Sequence, residues 1–301
     1  MTGVSLAIAT SVTCLVVAPT LLRSWRRFDT YPRVGLAVWS ALVILGWLSA
    51  IVLFLRVGLG ESRGSLVSGL GSFAARLGDG HPLRGLGFRE VVGLSLAFDV
   101  LLLMLGSLIR TGVTIAFNRR RHRSLVDLVA GHSDALIDVC VLAHPQPLAY
   151  FLPGRGGRVV VTQGAVDVLS SAELEAVVAH ERGHHHGRHG AWLISLQALS
   201  PFVQFIPLAR WAPTTVRMYL EMSADDFARR QVHRSALEGA LGKVSLFSAA
   251  PLGAMGLTND FSSRRLERLA TSSPYLLDLA VVVAVVSASL SLVWSIVLGH
   301  L

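Results

Sequence analysis

Residues His180-Glu181-Arg182-Gly183-His184 set two imidazoles four positions apart, with a carboxylate beside the first. On an α-helix, positions i and i+4 share one face, so both rings can reach a single metal ion. Zinc suits such donors and lowers the pKa of water towards 7. Glu181 is then placed to take the proton of an attacking water and to hand it to a leaving amine. The chemistry expected is hydrolysis of a peptide bond. The competing reading is a solvated histidine-rich helix face, because His185, His186 and His189 lie alongside.

Such a centre needs a third protein ligand. The pattern HExxHxxGxxH is matched as far as Gly187 but requires histidine at 190, where this chain has Gly190. His189 is one residue early, a rotation of about 100° around a helix. It is excluded unless the helix breaks at Gly187. His144 and His233 are distant and have no supporting pattern. Glu221 opens Glu221-Met222-Ser223-Ala224-Asp225, an ExxAD motif in a segment expected to be helical. It is the favoured third ligand, the alternative being a solvated acidic face. Asp225 shares its face, and is expected to accept a hydrogen bond from a ligating histidine and so fix the tautomer of that ring.

The elements that must carry these residues are legible nearby. Ser170 and Glu173 form an S-x-x-E capping box, so a helix should start there and run through the histidines. Ala179, Gly183 and Gly187 on that helix, with Ala224 and Ala228 on the next, allow close approach of the two. Residues 148–153 and 158–162 read as a hairpin whose edge could bind extended peptide by strand addition, or as an ordinary core hairpin. Residues 191–209 are apolar and uncharged but contain Pro201 and Pro207. A full span there would separate Glu221 from the histidines across the membrane, so a membrane-apposed helix pair or re-entrant hairpin is expected. Arg264, Arg265 and Arg268 precede the last apolar stretch. Arg265 is a candidate for transition-state stabilisation or for a salt bridge to Asp225; anchoring beside the membrane is the favoured reading of the run.

Hydrophobic residues make up 52% of the 301 residues and charged ones only 15%, against about 25% in an ordinary soluble domain. A bilayer span needs about 20 apolar residues. Segments 3–22, 34–55, 91–109 and 279–299 qualify, the third containing Asp99. Asp99 either makes a polar contact inside the bundle or lies near the interface. The first segment lacks a charged start and a cleavage site, so an uncleaved span is expected. Loop 56–90 is expected to hold a short interfacial helix around Ser65–Leu77. The net charge of +8 comes from 27 basic and 19 acidic residues. Its arginines crowd between the first two spans and after the third, which reads as a topology signal. Nucleic-acid binding is not needed to explain it. Cys14 and Cys140 provide neither a disulfide scaffold nor a CxxC pair.

HERGH, the VVVTQGAVDVLSSAELEAVVAHE segment leading into it, and EMSAD after it resemble the BlaR/MecR-type membrane metallopeptidases. These are bacterial gluzincins related to the HtpX and CAAX-prenyl protease group. The likeness is close over about 148–230 and looser over the span layout. It implies zinc on His180, His184 and Glu221, with Glu181 as general base. It also implies three spans, a cytoplasmic zinc domain and a fourth span, and a BlaI/MecI-like cytoplasmic repressor as substrate. The best-known members carry a penicillin-binding sensor after the fourth span. Here only His300 and Leu301 follow it, and no extracytoplasmic segment has an SxxK motif. Sensing by acylation is therefore not expected.

The resulting expectation is a mainly α membrane protein with four transmembrane helices and a cytoplasmic α+β gluzincin-type zinc peptidase domain. Residues 1–117 hold three spans, 118–275 the peptidase domain and 276–301 the fourth span. The expected place is the bacterial inner membrane, with the active site cytoplasmic and both termini outside. Expected partners are a protein substrate and the lipid bilayer, with no direct nucleic acid; self-association is left open. The rival readings are HtpX-like quality control of membrane proteins and a non-proteolytic receptor with structural zinc, where His189 or Asp225 would complete the ligand set.

Overall fold

The structure, a computed structural model, describes residues 3–59, 65–129, 131–132, 139–152, 157–190, 192, 204–247 and 255–270. Among these, three helices are long and apolar enough to cross a membrane. Helix α1 is Gly3–Leu22, with one wider π turn at Thr13–Val17. After the short α2 (Arg27–Thr30), α3 runs over Pro32–Leu59. Its 28 residues reach about 42 Å at 1.5 Å per residue, more than the hydrocarbon core requires. Helix α4 (Leu66–Gly78) is capped by the Ser65 side chain and buries Leu66 and Gly69, leaving Val67, Leu70 and Leu77 exposed. It matches the short helix expected in this loop.

Helix α5 (Phe88–Val129) is longer than the span expected at 91–109. Its apolar part, Phe88–Asn118, continues without a break into the arginine-rich stretch. The boundary drawn at 117/118 thus falls inside a continuous helix, because no proline or turn interrupts the sequence there. Helices α3 and α5 cross at two glycines. A Cβ on Gly58 would come within 2.5 Å of the Leu94 backbone nitrogen, and one on Gly93 equally near that of Gly58. Small residues let helix backbones meet in lipid, where apolar burial provides no drive for association. Among the described residues, Asp99 is exposed on α5. The fourth span expected at 279–299 and most of 191–209 lie outside the described residues.

A four-stranded sheet follows: β1 (Gly131–His132), β2 (Val139–Leu142), β3 (Ala149–Leu152) and β4 (Arg158–Thr162), in the order β1-β2-β4-β3. Strand β2 runs parallel to β4, and β3 pairs antiparallel with it from Ala149↔Val161 to Leu152↔Arg158, forming the expected hairpin. The run Val159-Val160-Val161 explains why β4 is central. Val159 and Val161 face a cluster with Val139, Ala165 and Val178, while Val160 packs with Cys140 and Leu152. A strand covered on both faces wants such a β-branched run. Strand β3 lies at the sheet edge.

Helix α6 (Gln163–Val168) leads to α7 (Ser171–His186), then α8 (Pro207–Ala228), α9 (Arg234–Phe247) and α10 (Met255–Ala270). Helix α7 lies between the sheet and α8. Helix α8 packs on its other side against the membrane helix α3, through Leu36, Trp39 and Val43 against Leu208, Ala212, Val216 and Tyr219. Trp39 and Tyr219 are both almost fully buried. Gly35 is needed at this crossing, since a Cβ there would stand 2.7 Å from the Tyr219 ring.

Candidate active site

The capping box at the start of α7 is fully formed. The Ser170 N–H donates to Glu173 at 2.7 Å, and the Glu173 N–H donates to Ser170 Oγ at 3.4 Å. Lys243 of α9 adds a 2.6 Å ion pair to the same carboxylate. That contact, then the Ser170 N–H, holds the Glu173 carboxyl below the ordinary glutamate pKa. This fixes the phase of α7 and aims His180 and His184 at α8. The approach is close because position 183 is glycine: a Cβ there would meet Ala224 Cα and O at 3.0 Å.

His180 and His184 present their Nε2 atoms to each other at 3.1 Å. Glu221 of α8 brings its two oxygens to 3.3 Å from His180 Nε2 and 3.5 Å from His184 Nε2. Four ligands on zinc at 2.0–2.2 Å form a tetrahedron whose edges are about 3.3–3.5 Å. The two Nε2 atoms and the Glu221 oxygen facing each of them lie 3.1–3.5 Å apart, close to that edge length. Two imidazole nitrogens and a carboxylate facing one point make chemical sense around a cation, which binds the rings in their unprotonated form. Among the described residues, this trio is the group able to hold a metal ion. The donor set fits zinc.

The neighbouring groups are consistent with that use. Glu181 is largely buried, and burial raises its carboxyl pKa; its Oε2 accepts the outward N–H of Phe151 on the edge strand at 3.0 Å. A carboxylate so raised, beside a metal trio, has the character of a general base. Asp225 is 1% exposed. Burial would raise its pKa, but the guanidinium of Arg265 outweighs that and holds it low. Arg265 grips both oxygens, Nε at 2.8 Å and Nη2 at 2.7 Å. Its Nη1 lies 3.3 Å from Glu221. His180 Nδ1 sits 2.9 Å from Asp225, close enough for a hydrogen bond but not aligned for one. Burial alone would lower the His180 pKa, yet Asp225 and Glu221 together hold it up to about 10 in the metal-free site. Occupation by a cation must displace that proton.

The arrangement brings together His180, Glu181, His184, Glu221, Asp225 and Arg265. It corrects the anchoring reading of the arginine run on α10. Arg264 pairs with Asp29 of α2 at 2.5 Å, Arg265 with Asp225, and Arg268 with the buried Asp226 at 2.7 Å. Arg265 spends its donors on two carboxylates, which makes it a positioning group. The spacing 264, 265, 268 on one helix and the adjacent pair Asp225-Asp226 were the signal available for this network. His144 takes part in a turn, accepting the Gln146 N–H, and His233 pairs with Ser235 at the start of α9. Neither joins the trio. The expected run of α7 to His189 stops at His186, with Gly187 as its C-cap.

Comparison with known proteins agrees with this geometry. Residues 118–223 match the family model described as Peptidase family M48. Over 72 residues the chain is 39% identical to the plastoglobule-localized metallopeptidase 48, chloroplastic, of Arabidopsis thaliana, covering 23% of this chain and 21% of that one. A protease HtpX homolog of Pyrobaculum calidifontis is 37% identical over 91 residues, 29% of this chain and 26% of that one. One from Thermococcus sibiricus is 34% identical over 110 residues, with 35% and 34% covered. The chain thus spans between about a fifth and a third of the length of these curated relatives. No solved structure matches. The matched region contains His180, Glu181, His184 and Glu221, and stops just before Asp225.

Proposed function

We propose that this chain is an integral-membrane zinc endopeptidase. The observation that carries the reading is the convergence of His180, His184 and Glu221, whose facing nitrogen and oxygen atoms lie 3.1–3.5 Å apart, with Glu181 beside them. Zinc, when bound there, supplies a Lewis acid that polarises a carbonyl and lowers the pKa of water. Glu181 takes a proton from the attacking water as its oxygen bonds to the peptide carbon. The same carboxyl then returns that proton to the leaving nitrogen as the C–N bond breaks. Asp225, pinned by Arg265, keeps the His180 ring oriented. The outer edge of β3, next to Glu181, offers backbone groups along which an extended peptide could lie.

The arginine distribution supports a cytoplasmic site, and the packing of α8 on α3 supports one close to the inner membrane surface. Two substrate classes fit. The HtpX homologs among the relatives support clearance of damaged membrane proteins. The likeness in span layout to BlaR/MecR-type peptidases supports limited cleavage of a cytoplasmic regulator such as a repressor. Substrate breadth separates them. With membrane proteins and candidate repressors co-expressed, quality control predicts many fragments, and regulation predicts one or two sites in one protein. In both cases Glu181→Gln should abolish cleavage and retain zinc, and unchanged cleavage in that variant contradicts the enzyme reading.

A further inference from the structure

The end of α7 holds a histidine that the catalytic scheme leaves unused. Helix α7 stops at His186; Gly187 keeps helical dihedrals (φ −74°), and Arg188 then turns left-handed at φ 49°. A non-glycine residue in that region is uncommon and persists where its surroundings fix it. The turn swings His189 back under the helix, where it is 5% exposed. Its ring lies against Gly187 so closely that a Cβ there would collide with the Nε2 edge. The opposite edge, Nδ1, stands 2.8 Å from Nδ1 of His184.

Two unprotonated nitrogens would repel at that distance, so the pair must share one proton. If Nε2 of His184 serves the metal, its Nδ1 carries hydrogen and donates it to His189. We propose that His189 is a positioning residue for the metal centre, fixing the tautomer and tilt of His184 through the 2.8 Å contact between their Nδ1 atoms. The inference rests on reading His180, His184 and Glu221 as a zinc site. It gives the left-handed Arg188 and the bare Gly187 a common purpose: both exist to fold this ring back.

The test uses the full chain in detergent, with zinc affinity from chelator competition and the visible spectrum of the cobalt(II) form. His189→Ala should weaken zinc about 10- to 100-fold and shift the cobalt bands, the usual cost of losing a group that orients a ligand. His189→Asn, whose amide oxygen falls near the Nδ1 position, should recover most of the loss. His189→Gln, which reaches towards the Nε2 side, should not. Gly187→Ala suits the backbone but displaces the ring, so it should mimic His189→Ala and cost nothing further on top of it. Wild-type affinity and spectrum in His189→Ala would overturn the proposal, as would additive losses in the double variant. Absence of zinc from the wild type would overturn the metal-centre reading instead, and this inference with it.

Discussion

At the scale of single residues, the site is a set of paired roles. Asp225 is acceptor to Arg265 and neighbour to His180, so its loss strips two groups at once. Asp225→Asn should weaken zinc binding by about 10- to 100-fold while the chain still folds. Chelator competition checks this, and an affinity equal to wild type would count against the orienting role. The metal trio was legible because HExxH and ExxAD each fix two positions on one helix face. The ion pairs of Arg265 and Arg268 were less so. Arginines beside an apolar segment look the same in sequence whether they face lipid headgroups or a buried carboxylate. Only the register of α10 against α8 decides, and that is set by tertiary packing around Leu269, Ala228 and Leu237. His189 illustrates the same limit: the left-handed Arg188 that returns it to His184 has no signature in composition.

At the scale of elements, α7 and α8 are held in phase by a cap at one end and a glycine in the middle. Gly183→Val should push its side chain into the Ala224 backbone and cost roughly 1–3 kcal/mol of stability, the range seen for overpacking. A melting temperature within error of wild type would show that the helices can part without penalty. The cap has a pH signature. The folded state lowers the Glu173 pKa, so it favours the ionised form more than the unfolded chain does. That stability is present above the ordinary glutamate pKa and is lost as pH falls through the lowered value. Between pH 6 and 3, wild type should therefore lose more thermal stability than Glu173→Gln. Equal slopes would remove the cap and Lys243 from the account. The sequence located the cap, the hairpin and three apolar helices well, because each depends on local pattern. It placed the end of α7 too late and the end of α5 too early, since histidine-rich and arginine-rich polar runs do not by themselves mark where a helix stops.

At the scale of the whole molecule, the candidate metal site is packed onto the membrane-length helix α3. The helix that carries Glu221 and Asp225 lies directly on α3, with Tyr219 between Gly35 and Phe28. A second tie joins α2 to α10 through Asp29 and Arg264, each side chain 16% exposed. A double-mutant cycle on Asp29→Ala and Arg264→Ala should give a coupling of about 0.5–3 kcal/mol in thermal stability. Zero coupling would make the contact incidental. The packing of α8 on α3 leaves Glu221 little room to move independently of α3. That makes the lipid-facing half of the chain part of the site's positioning.

The measurement closest to the central claim is zinc content and hydrolysis of an unfolded protein substrate by the purified full chain, wild type against Glu181→Gln. The account predicts equimolar zinc in both and peptide-bond cleavage by the wild type alone. Undiminished cleavage in Glu181→Gln, or a wild type that takes up no zinc, would contradict it.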